Sequence, residues 1–470
     1  MMKLLTRSDD RNTSLGIFER FAYMSGSFGT VLVYTLIGTY LLYYYTDVVG
    51  LNGTIIGSIL LVSRILDGIS DLVMGAIVDR TVSKRGKTRV WLLRMCIPYA
   101  ISGILVMSVP TAASELIQYI FVAITYNLCC TVAYTAITVP YNAFLCNITG
   151  NAKEHGILGV FSVLGGTISG LIVQSTVVQA TEAMGGGARA WQIMAIIYAA
   201  LSIVFHLICY FFTKERCVSP APDKDKPHLS LKAELSSLLG NKYWVCALLV
   251  CIAALLVSGV MNASGLYYAN SLFGDAVYFT PIANSMSLGL VAGIFIAAVL
   301  MGKIGKRNTM LIGAVTSTIA GAAMGLFAST PTLAAVFSAI RGVMFGFITS
   351  SVYGMVADTI DYGEWRSGIR AEGIGLACIT VGTKLATGLS SVIVGMTVER
   401  CGYDPSLAVQ SAEAKSAMVF LLCWLPAILG IVMVVCLVIY KLDKLYPKIQ
   451  KELEDRRKAV EEKISTENES

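Results

Sequence analysis

The chain has 470 residues, 55 % of them hydrophobic and 14 % charged, with a net charge of +6 and a mean hydropathy of +0.69. A soluble chain carries about 25 % charged residues, so this composition excludes a soluble enzyme, a disordered chain and a nucleic-acid binder. A bilayer-crossing helix needs about 20 apolar residues, and with connections the length gives room for about twelve.

Apolar runs fall near 26–46, 53–78, 91–110, 116–145, 157–180, 190–213, 243–268, 278–301, 309–328, 333–357, 373–397 and 417–440. The fold class expected is all-α integral membrane, with twelve transmembrane helices. An even number of spans places both termini on one side. The N-terminus, the loops after the even-numbered spans and the tail hold nearly all of the 36 Lys and Arg, whereas the opposite ends hold three, Arg189, Arg400 and Lys415. The positive-inside rule then makes both termini cytoplasmic in a multi-pass plasma-membrane protein. The first apolar run begins near Gly26 without a following small-residue cleavage site, so no signal peptide is expected.

Residues 214–242 hold three prolines and many charges and read as a cytoplasmic linker. It separates a six-helix half at 1–213 from a second at 243–440, and a charged tail follows at 441–470. Short basic loops with glycine, Gly75 to Arg89 and Gly302 to Arg307, occupy matching places in the two halves. Two six-span halves in parallel repeat are the major facilitator architecture, with a binding site between them near the midplane. In the tail, Leu445, Ile449 and Leu453 recur every fourth residue, as on an amphipathic surface helix.

Ionisable residues inside spans are costly and point to function. Five stand there: Arg64, Asp67 and Asp71 in span 2, Arg341 in span 10 and Lys384 in span 11. At 100° per residue the first three share one helix face. Paired carboxylates at i, i+4 can hold a cation among oxygens, or one of them can take a proton. A static charge cluster locking the halves together is the bland reading of the same residues. Arg341 lies near enough to one end of its span to snorkel to the outer interface; turned inward it would suit a substrate carboxylate or sulfonate. The segment after span 10 mixes Asp358, Asp361, Glu364, Arg366 and Arg370 with aromatics, and the loop after span 2 carries Arg80 and Arg85. Salt bridges between these two cytoplasmic loops would make a gate; solvated loops are the alternative. Most of the twelve cysteines lie in apolar runs and read as small hydrophobes. No metal site, cofactor motif or nucleophile–base constellation is evident.

Three stretches carry a family resemblance: YYYTDVVGL from Tyr43 to Leu51, RILDGISDLVMGAIVDRTVSKRGKTR from Arg64 to Arg89, and ADTIDYGEWRSGIRAEG from Ala357 to Gly373, with Lys384 eleven residues further on. The chain resembles the glycoside–pentoside–hexuronide:cation symporters, the branch of the major facilitators that includes melibiose permease. The resemblance implies a coupling-cation site of Asp67, Asp71, Ser70 and Thr135, with Ser70 standing where melibiose permease has Asn. It implies a coupling role for Lys384, and Arg64 joins it there. The two sugar-binding aspartates of melibiose permease have Val31 and Thr138 in their places, and Val163 lies near its span-5 Arg. Neutral galactosides therefore fit poorly, and Arg341 tilts the expectation toward a hexuronide, with a small neutral pentoside open. Candidate substrate contacts are Thr138, Tyr134, Thr380 and Arg341.

The function expected is symport of Na⁺ or H⁺ with a glycoside, pentoside or hexuronide, without covalent chemistry. The expected partners are a small sugar, a monovalent cation and the lipid bilayer, with no nucleic acid, in a monomeric protein. A cation-coupled lysolipid transporter and a non-transporting membrane sugar sensor are the alternatives; the absence of an output domain at either end speaks against the sensor.

Overall fold

The computed structural model describes residues 15–83, 85–149, 151–217, 231–368, 372–405, 407, 409–453 and 455. Eleven described helices are long and apolar enough to cross a bilayer, from Ile17–Val48 (span 1) and Arg89–Val106 (span 3) to Ala412–Ile439 (span 12). The helix expected as span 2, Gly53–Arg80, is 28 residues long, but Arg64, Asp67, Asp71, Asp79 and Arg80 lower its hydropathy. At 1.5 Å per residue it is about 42 Å long, ample for a bilayer. The carbonyl of the Asn52 side chain fixes its start by accepting a hydrogen bond from the Ile55 amide.

Two compact units are present. The first comprises Met1–Lys224, Val260–Asn284 and Thr387–Met418; the second comprises Asp225–Gly259, Ser285–Ala386 and Val419–Ser470. These units depart from the two sequence halves, because ends of spans from the second half pack within the first unit. There span 1 packs against Glu154–Ala183 (span 5) and Ala188–Phe212 (span 6), while span 2 packs against Glu115–Ile148 (span 4). Gly53 and Gly57 of span 2 meet Gly395 and Ser391 of Ala377–Arg400 (span 11) backbone to backbone, and a Cβ on Gly395 would stand 2.2 Å from the Gly53 carbonyl.

In the second unit, Lys306–Phe327 (span 9) packs on span 12 and on Pro331–Ser367 (span 10). Ala276–Ile304 (span 8) meets span 10 through Gly289 and Gly293 on one side and Gly342 and Gly346 on the other. This is small-residue spacing that lets helix backbones touch where burial in lipid gives no drive to associate.

Span 10 contains two helices, Pro331–Thr349 and Val352–Ser367. The segment expected as a loop from Asp358 onward is therefore helical as far as Ser367, where Gly368 ends it in the left-handed conformation at φ 69°. The tail is helical at 446–453; of its apolar stripe Ile449 and Leu453 are buried against protein, while Leu445, just before the helix, is exposed. Tyr446 donates to Asp361, and the Trp365 indole donates to Glu452, holding tail and span 10 together.

Candidate cation and substrate site

Among the described residues, π-helical segments interrupt span 4 at Asn127–Tyr134 and span 12 at Phe420–Trp424, and a third, Tyr44–Val48, ends span 1. A π segment inserts extra chain into a helix and re-aims the side chains beside it, which is why such segments concentrate at functional places. Each of these three stands at a polar cluster.

The span 4 segment adjoins the charges of span 2. Asn127, its first residue, donates to Ser63 Oγ at 2.8 Å, and Thr131 donates to Asn127 Oδ1 at 3.1 Å. The Ser70 hydroxyl donates to the Thr131 carbonyl at 2.5 Å. Thr135 follows directly, its Oγ1 lying 3.2 Å from Asp67 Oδ1 and 3.0 Å from Asp71 Oδ1. Asp67 is 3 % exposed and Thr135 1 %, while Asp71 is half-buried. Arg64 reaches Asp67 Oδ2 at 3.5 Å and lies 6.0 Å from the Tyr126 ring centre. Beyond it Tyr134 stacks on Tyr34 of span 1 at 4.7 Å, a flat aromatic surface one turn from Thr138.

The structure thus brings together Arg64, Asp67, Asp71 and Thr135. Ser70, expected as a cation ligand, donates its hydrogen to the Thr131 carbonyl of span 4, a tie between the two helices that leaves its oxygen lone pairs as acceptors. Asn127, Thr131, Ser63 and Tyr34 carry the site without having been singled out in the sequence. Only the residue type of Asn127, a polar amide inside an apolar run, offered a signal.

Lys384 and Thr380 belong to the second unit and stand one turn apart on Glu372–Arg400, Lys384 half-buried and Thr380 exposed. Arg341 does not snorkel. It is 2 % exposed, and its Nη1 donates to the Leu422 carbonyl at 3.0 Å, within the π segment of span 12. A π turn breaks the regular carbonyl ladder and presents such an oxygen sideways, and a charge buried this deep needs one. Arg341 joins span 10 to span 12.

Among the expected gating residues, Asp358 accepts from Lys306 Nζ at 2.8 Å and Asp361 accepts from the Tyr446 hydroxyl at 2.8 Å. Arg366 donates to the Gly240 carbonyl at 3.1 Å, and the backbone carbonyl of Glu364 accepts from Gly368. Arg80 and Arg85 are exposed, and Arg370 lies outside the described residues. Each of these contacts stays within the residue's own unit.

The loop after span 2 is held instead by the chain that leaves span 6. Glu215 Oε1 accepts from the amides of Thr88 and Arg89 and from the Thr88 hydroxyl, and Oε2 accepts from the Lys87 amide. Arg89 donates to the Thr213 carbonyl and covers the Tyr210 ring at 4.9 Å. Nearby, Arg20 pairs with Glu154 and Arg216 with Glu19.

At the other end of the first unit, the span 1 segment presents Asp47. Its Oδ1 accepts from the Tyr403 hydroxyl at 2.7 Å and its Oδ2 from Thr46 at 2.6 Å; Thr46 meets the Tyr267 hydroxyl, and Asn270 donates to Tyr403. Burial, and then the neighbouring Asp47 charge, push the Tyr403 phenol well above its ordinary pKa, so it stays a donor.

The MFS/sugar transport protein family matches residues 22–444. An isoprimeverose transporter of Lactiplantibacillus pentosus is 29 % identical over 447 residues, 93 % of this chain and 91 % of the relative. A putative glycoside/cation symporter of Escherichia coli (strain K12) is 28 % identical, over 96 % of this chain and 98 % of its own. Among solved structures, a bacterial homologue of the human lysosomal transporter Spinster superposes with a TM-score of 0.63 at 14 % identity, covering 93 % of this chain and 99 % of that one. The nucleoside transporter NupG gives 0.60 at 16 %, covering 90 % and 100 %. These likenesses show the major facilitator fold, and the family is one of transporters rather than enzymes. The chain belongs to the MFS/sugar transport protein family.

Proposed function

We propose that this protein is a symporter that couples downhill influx of a monovalent cation, Na⁺ or H⁺, to uptake of a neutral glycoside across the plasma membrane, with both termini in the cytoplasm. The observation that carries this reading is the cluster of Arg64, Asp67, Asp71 and Thr135 within apolar spans. A bilayer protein keeps two carboxylates at i, i+4 beside a shared hydroxyl only where their charge is used. A cation bound there neutralises the cluster and favours the conformation that binds sugar. Because coupling free energy is reciprocal, sugar then raises cation affinity by the same factor. Lys384 is assigned the coupling role on the strength of the family resemblance.

The substrate class follows from two findings. Arg341 is engaged with the Leu422 carbonyl, which withdraws the reason for an acidic sugar. The stacked Tyr34 and Tyr134 offer an apolar face of the kind that sugar rings cover, and the similarity to an isoprimeverose transporter supports a glycoside of that kind.

The test is solute-evoked ion movement in proteoliposomes offered isoprimeverose, other glycosides, pentosides and hexuronides, with pH and Na⁺ recorded. A sugar-evoked ion flux that Asp67→Asn abolishes is expected. Sugar binding without any flux would replace the symporter with a sensor, and lysolipid transport without sugar binding would replace the substrate class.

A further inference from the structure

The stretch YYYTDVVGL, Tyr43 to Leu51, lies apart from the cation cluster, and its polar residues divide into two pairs with different tasks. Tyr44 and Tyr45 donate from their hydroxyls to the carbonyls of Met107 and Val106, both at 2.9 Å, which fixes the end of span 1 to the end of span 3. The π segment turns the next two residues elsewhere. Thr46 meets Tyr267 of Lys242–Phe273 (span 7), and Asp47 meets Tyr403 in the turn after span 11. These partners are 221 and 356 residues away in the chain, yet all four residues belong to the first unit.

The hydrogens can be placed by counting donors. An ionised carboxylate only accepts, so Tyr403 gives its hydrogen to Asp47 Oδ1 and accepts from the Asn270 amide at 2.8 Å. Thr46 gives its hydrogen to Asp47 Oδ2, so in its 2.6 Å contact with the Tyr267 hydroxyl it accepts. Two chains of donors, Asn270 to Tyr403 and Tyr267 to Thr46, therefore end on one carboxylate, and bonds linked in this way strengthen one another. The Tyr267 ring stands edge-on to Tyr43 at 5.6 Å and to Tyr403 at 5.5 Å. Toward the same end, Thr280 and Asn284 of span 8 donate to the Gln174 carbonyl and the Ser175 hydroxyl of span 5.

One turn deeper along spans 1 and 7, Tyr40 Oη and Ser264 Oγ are fully buried and have no hydrogen-bond partner among the described residues. Each such atom costs about 1–3 kcal/mol, a cost that is recovered in a state where water reaches it. A permanently sealed seam would carry apolar side chains at these places. We propose that Thr46 and Asp47 form an outer latch on the transport path, holding span 1 to Tyr267, Asn270 and Tyr403 and parting from them when sugar enters. The latch rests on the transport and topology reading above, which puts the end of span 1 outside. Opening turns on Asp47, because both donor chains end there. When the latch parts, water takes up the freed groups, while Tyr44 and Tyr45 stay fixed to span 3.

Side-specific thiol labelling of the full-length protein in intact cells, without sugar, tests this. Ser264→Cys places a thiol beneath the latch. A sulfonated methanethiosulfonate, which does not cross membranes, is added outside, and the modified peptide is followed by mass spectrometry. Tyr403→Phe removes one charge-assisted hydrogen bond and should speed labelling about tenfold, and Asp47→Ala, which ends both chains, should speed it further. Tyr44→Phe cuts only the tie to span 3 and should leave the rate unchanged. Cys209, buried in span 6, should resist a permeant maleimide in every variant, which separates a parted latch from a loosened fold. Equal acceleration by Tyr44→Phe, modification of Cys209 in step with Ser264→Cys, or no acceleration by Asp47→Ala and Tyr403→Phe overturns the latch. Labelling from inverted vesicles alone overturns the topology on which it rests. Failure of the symport reading would show instead as accelerated labelling with no sugar-evoked ion flux.

Discussion

Glu215 offers the most direct check on how the site-bearing helix is held. It closes the loop between span 2 and span 3 from a segment 127 residues away in the chain. The amides it accepts, at 2.7 Å, 2.8 Å and 2.6 Å, belong to Lys87, Thr88 and Arg89, where Arg89–Val106 begins and the helix has no side-chain cap of its own. A carboxylate here satisfies first-turn donors and sits at the positive end of the helix dipole. Glu215→Gln keeps one acceptor oxygen, replaces the other by a donor and removes the charge. Charge-assisted hydrogen bonds contribute about 1.5–3 kcal/mol each and the dipole about 0.3–1 kcal/mol. Partial solvent access offsets some of this, so about 2 kcal/mol of local stability should be lost, a factor of about 30 in the local opening equilibrium. Hydrogen exchange with mass spectrometry should show the segment from Lys87 to Arg89 exchanging about 30-fold faster in Glu215→Gln, with spans 7 to 12 unchanged. Unaltered exchange in that segment would refute the capping role. Gly86→Ala should reproduce the effect, because Gly86 has φ 106° and an added Cβ would meet the Glu215 carboxyl carbon at 2.7 Å.

Three further expectations follow from the same packing. Gly342→Ala places a methyl 2.1 Å from the Met286 carbonyl and should force spans 8 and 10 apart, seen as loss of folded protein in detergent by size-exclusion chromatography. Tyr403→Phe removes a donor to Asp47 worth about 1.5 kcal/mol, so alkylation of buried Cys401, two residues away, should accelerate about tenfold by mass spectrometry. Arg341→Met gives up the hydrogen bond to Leu422 and should lower thermal stability by about 2 kcal/mol while leaving the KM for a neutral glycoside within about twofold; a large rise in KM with unchanged stability would return Arg341 to the substrate site.

The charged face of span 2 was legible because its residues violate the apolar pattern around them, and a violation in lipid identifies itself. Thr135 carried no such signal. A threonine in a transmembrane helix is ordinary, and only the family resemblance pointed to it. Asn127 and Thr131 escaped notice because their role depends on the π segment, whose extra residue leaves no mark in composition. Arg341 was visible as a charge, yet its partner is a backbone carbonyl, which no side-chain pattern records. Asp47 and Tyr403 lie 356 residues apart, and Glu215 sits in a polar segment where one more acid is unremarked. The helical register of Val352–Ser367 was hidden by its charges, which made a helix read as a loop.

The central claim, symport through the span 2 carboxylates, is tested most directly by accumulation. Proteoliposomes with an imposed inward cation gradient should concentrate a labelled sugar substrate above the external level. An ionophore that dissipates the gradient should abolish that accumulation while leaving equilibration intact, and Asp67→Asn should only equilibrate or do nothing. Sugar that equilibrates in the unaltered protein without ever accumulating, whichever cation gradient is imposed, would contradict the account.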